Sequence, residues 1–213
     1  MDVAIIDYKM SNLFSVQAAC DSVGLSSVIT SDKNIILDAK VAILPGVGAF
    51  GEAMNYLIDS KLNETIIKFV DSGKPFLGVC LGLQLLFDNS EEFGDYSGLG
   101  LIKGKVKKFI CQTHNSIKYP VPQIGWNTIK RVNDTWNNSL LCNNVNGDFM
   151  YFVHSYYVEP EDENIILTKT SYGDKEYCSS IQKDNIFACQ FHPEKSGEIG
   201  LNIYKNLKKE YCS

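Results

Sequence analysis

The segment at 78–82, Gly-Val-Cys-Leu-Gly, most constrains how this chain can fold. It follows the apolar run Pro-Phe-Leu at 75–77 and precedes Leu-Gln-Leu-Leu-Phe at 83–87, a run that predicts a helix. Glycines on both sides of a nucleophilic residue, between a strand and a helix, are typical of a nucleophile elbow. The sharp turn strains the nucleophile's backbone, and glycines avoid collisions with the neighbouring chain. The pattern therefore predicts that Cys80 projects from the carboxyl end of a strand.

An elbow also predicts the surroundings of the sulfur. The N-terminus of the following helix favours a thiolate over a thiol, and the backbone N–H of Leu81 can donate to an oxyanion. The alternative is that Cys80 is only a small hydrophobic residue at the start of a buried helix. The segment at 78–82 does not by itself decide between the two interpretations.

A second segment, near the C-terminus, favours the catalytic interpretation. Residues 187–191 (Phe-Ala-Cys-Gln-Phe) predict a buried strand that runs into His192, Pro193 and Glu194. Residues i and i+2 of an extended chain point the same way, so Glu194 can orient the imidazole that deprotonates Cys80. The sequence thus predicts a Cys-His-Glu triad. His154, inside an apolar strand, is expected to make only a structural hydrogen bond.

Composition excludes several classes of protein. With 213 residues and 45% hydrophobic content, the chain can bury about 70% of its unfolded surface in one core, which predicts a single domain over residues 1–213. A formal charge of −5 argues against a nucleic-acid ligand. We expect a cytoplasmic protein, since the acidic, strand-like N-terminus is no signal peptide and no apolar stretch approaches the ~18 residues of a membrane span. Its seven cysteines form no C-x-x-C pair, which favours reduced thiols over disulfides or a zinc site.

The order of apolar runs predicts an α/β fold. Strand-like runs and amphipathic helical runs alternate at 3–6, 13–23, 41–44, 62–70 and 76–79. This alternation predicts a mainly parallel central sheet with helices on both faces and functional loops at the carboxyl ends of the strands. Beyond about residue 98 the runs become shorter and richer in β-formers, which predicts an antiparallel extension. Lysines alternate with apolar residues at 103–109, which predicts a strand with one solvated face, and apolar residues at 199, 203, 207 and 211 predict a final helix.

Four further segments complete a family pattern. They are 45–51 (Pro-Gly-Val-Gly-Ala-Phe-Gly), 125–127 (Gly-Trp-Asn), 151–157 (Tyr-Phe-Val-His-Ser-Tyr-Tyr) and 190–197 (Gln-Phe-His-Pro-Glu-Lys-Ser-Gly). With the elbow, they resemble the class I glutamine amidotransferases, and among these the glutaminase subunits of imidazole glycerol phosphate synthases, from residue 3 to about residue 207. The resemblance implies a flavodoxin-like fold, L-glutamine as substrate, and no cofactor or metal. It also implies a (β/α)8 cyclase partner, bound in a heterodimer, that receives the ammonia for histidine biosynthesis.

The resemblance assigns roles to individual residues. Cys80 would attack the substrate amide, His192 would move the protons, and Glu194 would fix the His tautomer. The second oxyanion donor would come from Val47 and Gly48, after a peptide flip that glycine permits. Residues implied at the bound glutamine are Gln84, one helical turn after Cys80, together with Ser155 and Tyr156. Residues implied at the partner interface are Asn12, Trp126 and Lys195.

Three positions depart from the family pattern. Lys9 and Ser11 stand where glycine is usual, and Gln123 stands where histidine is usual, all in segments expected to face the synthase or the rim of the site. They leave the triad intact but bear on the partner, because related glutaminases supply ammonia to sugar amidotransferases of surface polysaccharide or glycan synthesis. A free-standing γ-glutamyl hydrolase, which would need no interface residues, is a second alternative. A non-enzymatic regulatory subunit is a third, and the complete triad argues against it.

Overall fold

The fold is built on one large mixed β-sheet. The computed structural model describes residues 1–9, 12–110, 112–114, 117–132 and 134–212, so Ser11 and Cys111 lie outside the described residues. The strands are β1 (Val3–Ile6), β2 (Ser27–Thr30), β3 (Val41–Gly46), β4 (Phe76–Cys80), β5 (Phe87–Ser90), β6 (Tyr96–Ser97), β7 (Ile102–Lys108), β8 (Gln112–His114), β9 (Ile117–Tyr119), β10 (Gln123–Thr128), β11 (Lys130–Arg131), β12 (Phe149–His154), β13 (Tyr156–Pro160), β14 (Ile166–Tyr172), β15 (Lys175–Lys183) and β16 (Ile186–Cys189). The helices are α1 (Leu13–Ser22), α2 (Lys33–Asp38), α3 (Phe50–Asp59), α4 (Leu62–Asp71), α5 (Leu81–Leu85) and α6 (Gly197–Tyr211), and 3-10 turns lie at Asp134–Asn138, Glu163–Ile165 and Pro193–Lys195.

The sheet has a parallel half and a largely antiparallel half. Within the described residues it contains twelve strands, and its parallel half runs β2-β1-β3-β4-β16. Strands β15, β13 and β7 continue it with antiparallel pairing, while β14 pairs with β15. The pair β10-β12 forms a separate antiparallel sheet. The predicted fold class, a mainly parallel sheet with an antiparallel extension, is confirmed.

Helices cover both faces of the parallel half, as predicted. The alternation of strand side chains divides the core: Val3 and Ile5 of β1 belong to the cluster that includes residues of α1 and α6. Ala4 and Ile6 belong to the opposite cluster, which includes residues of α2, α3 and α4. Because both faces are covered, strands β1, β3, β4 and β16 are buried throughout, whereas the edge strand β2 is half-buried. No helix in the described part of the chain is long and apolar enough to span a bilayer.

The apolar run at 83–87 does not form the single helix that was predicted. Helix α5 has five residues and ends at Leu85, and strand β5 begins at Phe87. The carbonyl of Leu85 accepts the N–H of Leu99, and the carbonyl of Leu86 accepts N–H groups from 101 and 102. A helix would need these carbonyls for its own next turn, so the distant segment ends it.

Two predicted elements after residue 98 are confirmed. Strand β7 alternates buried residues with exposed lysines, and Lys103 contacts Asp88 at 2.9 Å, so its basic run is a solvated strand face. Helix α6 buries Ile203 and Leu207 against the sheet. The sequence patterns do not single out β2, α2 or α3.

Candidate active site

The elbow at Cys80 has the strained geometry that its glycines predict. Cys80 ends β4 with φ 56° and ψ −107°, a conformation that L-residues rarely adopt. A Cβ added to Gly82 would collide with the carbonyl oxygen of Leu44 on β3, and one added to Gly78 would lie 3.0 Å from the carbonyl oxygen of Gly82. Close backbone approach therefore requires glycine at 82 and favours it at 78, as the pattern predicts.

His192 and Glu194 form a buried pair at the same edge of the sheet. Strand β16 runs parallel to β4, so the chain leaves it beside the elbow. His192 Nδ1 lies 2.8 Å from Glu194 Oε1, and both side chains are fully buried. The predicted reason was wrong in detail: residues 193–195 form a 3-10 turn, and this turn, rather than an extended chain, brings the carboxylate to the ring.

The charges around His192 favour the protonated form of its ring. The Glu194 carboxylate only accepts hydrogen bonds, so Nδ1 carries a proton, while Nε2 is buried without a hydrogen-bond partner among the described residues. Burial alone would lower the pKa of His192, but the neighbouring Cys80 thiolate and the Glu194 carboxylate outweigh it and raise the pKa to about 10. The surroundings of the ring therefore favour a protonated His192.

Asn12 touches the triad directly. Its Nδ2 donates to Glu194 Oε1 at 2.6 Å, from a left-handed backbone conformation just before α1. Glu194 Oε1 thus accepts from Asn12 and His192 together, which fixes the carboxylate. The resemblance implied a partner contact for Asn12, and the described contact is within the chain. Asparagine is among the few residues that tolerate a positive φ, which suits this backbone conformation. Because Glu194 lies 182 positions away in the sequence, the residues around Asn12 do not indicate the contact.

A pocket of about 180 Å³ opens at the sulfur. Its lining residues are Val47, Gly48, Cys80, Leu81, Gln84, Glu92, Val153, His154, Ser155 and Tyr156. The structure thus brings together every residue predicted for the nucleophile, the oxyanion donors and the bound substrate. Among the described residues, His, Cys, Asp and Glu side chains form no group of three that could hold a metal ion.

Glu92 is a pocket residue that the sequence analysis missed. Among the described residues that line the pocket, it is the one carboxylate. Its Oε2 accepts the backbone N–H of Phe50 at the start of α3 at 2.6 Å. Burial raises the pKa of Glu92, and the Phe50 N–H opposes that shift. In the sequence it lies in an ordinary acidic turn, Glu-Glu-Phe-Gly-Asp at 91–95, so no local signal marks it.

The loop at 45–48 is anchored at Pro45 and has a glycine-favouring conformation at Gly48. Tyr8, fully buried, donates its hydroxyl to the carbonyl of Pro45 at 2.7 Å, and a side chain at Gly46 would collide with that hydroxyl. Gly46 lies opposite Cys80 in the sheet register, which sets the loop beside the nucleophile. Gly48 has φ 117°, a value that favours glycine, so its peptide can rotate at low energetic cost.

Two of the three residues predicted to face a partner, Trp126 and Lys195, lie on the surface near His192. Trp126 is 56% exposed and packs edge-on against Tyr151 with ring centroids 6.0 Å apart. The Tyr151 carbonyl accepts the backbone N–H of His192 at 2.9 Å. Lys195 is exposed in the turn that follows His192. A single residue, Tyr151, thus connects the exposed Trp126 ring to the backbone of His192.

Gln123, one of the departures, faces inward. Its side chain is buried, and its Oε1 accepts from the hydroxyl of Tyr177 at 3.0 Å. The same hydroxyl lies 3.3 Å from His154 Nε2, and His154 Nδ1 donates to the carbonyl of Tyr156 at 2.8 Å. Burial lowers the pKa of His154 to about 4, so this ring is neutral. His154 makes structural hydrogen bonds, as predicted.

The other described thiols lie outside the pocket. Cys20, Cys178 and Cys189 are buried, and burial raises the pKa of Cys20 and Cys178 to about 12. Cys142 and Cys212 are partly exposed. Thiols held protonated by burial are poor nucleophiles, and of the described cysteines Cys80 is the one that lines the pocket.

The sequence matches a known family over most of its length. Residues 4–208 match the family model described as glutamine amidotransferase class-I. The chain is 46% identical to the imidazole glycerol phosphate synthase subunit HisH of Aquifex aeolicus over 214 residues, covering 99% of this chain and 97% of that protein. It is 44% identical to the HisH subunit of Geobacter metallireducens over 210 residues, covering 96% of each.

Solved structures share the fold at low sequence identity. PurLQS from Thermotoga maritima superposes with a TM-score of 0.72 at 20% identity, covering 98% of this chain and 97% of that chain. The glutaminase domain of Trypanosoma brucei CTPS, solved with bound acivicin, superposes with a TM-score of 0.66 at 16% identity, covering 98% and 94%. These likenesses support the architecture of the sheet and its helices.

Proposed function

Because the chain belongs to the class I glutamine amidotransferase family, we propose that it hydrolyses L-glutamine and delivers the ammonia to a cyclase that makes imidazole glycerol phosphate and aminoimidazole carboxamide ribotide. The observation that carries the proposal is the strained Cys80 elbow, open to a pocket beside the buried His192–Glu194 pair. The similarity to HisH subunits along nearly the whole chain supports histidine biosynthesis as the pathway. A cytoplasmic location and one catalytic domain over residues 1–213 belong to the same proposal.

The geometry supports a thioester mechanism. The Cys80 thiolate attacks the carboxamide carbon of glutamine, and the oxyanion that forms accepts from the Leu81 N–H and from the loop at 45–48. His192 gives the proton it holds at Nε2 to the departing nitrogen, so the C–N bond breaks and ammonia leaves a γ-glutamyl thioester. His192 then takes a proton from water, which attacks the thioester, releases glutamate and regenerates the thiolate. Glu194, held by Asn12, keeps the imidazole oriented throughout.

Glu92 is the residue best placed to recognise the amino-acid end of the substrate. It supplies a carboxylate to a pocket whose other described lining groups, apart from the Cys80 sulfur, are neutral side chains or backbone. The α-ammonium group of glutamine carries the opposite charge and can pair with the Glu92 carboxylate. Binding this group would leave the side-chain amide at the opposite end, toward the sulfur.

Replacing Glu92 by glutamine should raise KM for glutamine about tenfold to 100-fold, because a hydrogen bond to a charged group contributes about 1.5–3 kcal/mol. The amide oxygen can still accept from Phe50, so the fold should persist. Glu91→Gln is the matched control: Glu91 also accepts a backbone N–H, that of Lys108 at 2.8 Å, but does not line the pocket. Steady-state kinetics measure KM for both variants. An unchanged KM in Glu92→Gln would contradict a role for Glu92 in substrate binding.

The partner assignment is tested by reconstitution. The purified chain is mixed with the cyclase subunit of an imidazole glycerol phosphate synthase and its nucleotide substrate, with glutamine as the nitrogen source. We expect a one-to-one complex and formation of both cyclase products, which neither subunit should give from glutamine alone. No complex and no product would contradict this partner. Product formation with a sugar amidotransferase instead would support the polysaccharide alternative, which the exposed surface around Trp126 also allows.

A further inference from the structure

We propose that Gln190 is a positioning residue for the nucleophile: its side-chain amide donates a hydrogen bond to the Cys80 thiolate. The inference rests on the proposed glutaminase function and assigns that site a further residue. Gln190 lies just after β16, two positions before His192, and its side chain is fully buried. It does not line the substrate pocket, so it acts through the sulfur and not on the substrate.

A short chain of amide groups leads from the pocket to the sulfur. Gln190 Nε2 lies 3.5 Å from Cys80 Sγ. Gln190 Oε1 accepts from Gln84 Nε2 at 3.0 Å. Gln84 Nε2 donates a second hydrogen bond to the backbone carbonyl of Tyr156 at 3.1 Å. All of these groups are buried, so each hydrogen bond forms away from water.

The backbone carbonyl at one end fixes the direction of every hydrogen bond in this chain. A side-chain amide can be turned to exchange its oxygen and nitrogen, so its orientation must come from its partners. The Tyr156 carbonyl can only accept, which requires the Gln84 nitrogen on that side. That nitrogen has a second hydrogen, which requires the oxygen of Gln190 in front of it. The nitrogen of Gln190 therefore faces Cys80, and Gln190 can only donate to the sulfur.

A fixed donor at the sulfur favours the thiolate. Hydrogen bonds to an ion stabilise it more than hydrogen bonds to a neutral group, so the Gln190 contact is stronger once the thiol has lost its proton. Gln190 cannot receive that proton. The neutral thiol faces the Val153 carbonyl at 3.9 Å, a longer contact. The arrangement thus directs the proton to His192 and holds the thiolate in position for attack.

The experiment measures the sulfur directly, without glutamine or a partner. Gln190→Met removes the donor and keeps the length of the side chain, whereas Gln190→Glu keeps the shape but presents a carboxylate oxygen to the sulfur. The rate of Cys80 alkylation by iodoacetamide is followed across pH by peptide mass spectrometry. Other titratable groups near the sulfur, left unchanged in both variants, are His192, Tyr8, Cys189 and, in the same pocket, Glu92.

We expect the midpoint of the alkylation profile to rise by about one pH unit in Gln190→Met and further in Gln190→Glu, so that kcat/KM at pH values below the wild-type midpoint falls about tenfold and recovers at higher pH. Gln182→Met is the matched control, because Gln182 donates to the Asn138 carbonyl far from the elbow.

Circular dichroism and thermal unfolding test whether each variant folds. If Gln190→Met does not fold, Gln190→Glu takes its place in the comparison. A midpoint unchanged in a folded variant would overturn the proposal. Because alkylation needs no turnover, a shifted midpoint in a chain without glutaminase activity would count against the proposed function alone.

Discussion

Replacing Cys80 by alanine should reduce glutamine hydrolysis by roughly 10⁴-fold or more, because no other described group in the pocket can form the covalent thioester. Cys80→Ser should be nearly as inactive, since the His192 environment is matched to a thiolate and an alkoxide is far harder to form. Both variants should unfold at close to the wild-type temperature, because alanine and serine fit the space and the glycines of the elbow remain. The measurement is glutamate release by the purified variants.

Labelling provides an independent check of the nucleophile. A glutamine-analogue electrophile should modify Cys80, and excess glutamine should prevent the modification. Cys20, Cys178 and Cys189 serve as internal controls, because burial holds them protonated. Glutamine-protected labelling at Cys20 or Cys189 would contradict the assignment, whereas unprotected labelling at the partly exposed Cys142 or Cys212 would not bear on it.

The parts of the site that follow from local backbone chemistry could be predicted from the sequence. The glycines at 78 and 82 are required where the chain turns sharply against β3, and a strand that ends at a His-Pro-Glu segment must deliver His192 to the same sheet edge. The alternation of buried and exposed residues in β7 and in α6 could also be predicted, from the spacing of their apolar residues, because each element packs one face against the core. These signals lie within a few residues of the feature they predict.

The parts that depend on distant segments could not be predicted. Glu92 lines the pocket and accepts the N–H of Phe50, 42 positions away. The contact of Asn12 with Glu194 spans 182 positions, and the amide of Gln190 meets Gln84 across 106. The end of α5 at Leu85 is likewise set by an N–H from Leu99. In each case a tertiary hydrogen bond decides the role of a residue whose neighbours in sequence are unremarkable.

The surface around Trp126 gives a physical reason to expect dependence on a partner. Trp126 packs on Tyr151, and the Tyr151 carbonyl holds the backbone of His192. On the other side of the sulfur, Tyr8 anchors Pro45, while the peptide after Val47 can rotate at Gly48. A partner that covers Trp126 and Lys195 can therefore bias the site through packed neighbours, provided that the loop at 45–48 has two arrangements.

The isolated chain should hydrolyse glutamine slowly and be accelerated about 10²–10³-fold by the cyclase carrying its own ligand, which is the effect of supplying one missing oxyanion donor. If the arrangement of Val47 and Gly48 that donates to the oxyanion is populated at about 1%, a partner that selects it fully can raise the rate at most about 100-fold. An acceleration of 10³ would require a state populated at about 0.1%. Steady-state glutaminase activity, measured with and without cyclase and its substrate analogue, gives the ratio.

Two variants distinguish activation through this surface from a general effect of complex formation. Trp126→Ala should lower the acceleration while leaving the slow activity of the isolated chain unchanged, because an exposed aromatic anchor contributes to partner contact. Tyr211→Ala is the control: Tyr211 is 45% exposed at the end of α6, which lies near the amino ends of the strands, away from the elbow. Equal losses in both variants would contradict an interface at Trp126. Full activity of the isolated chain, unchanged by any partner, would instead indicate the free-standing γ-glutamyl hydrolase, since that enzyme gains nothing from withholding an oxyanion donor.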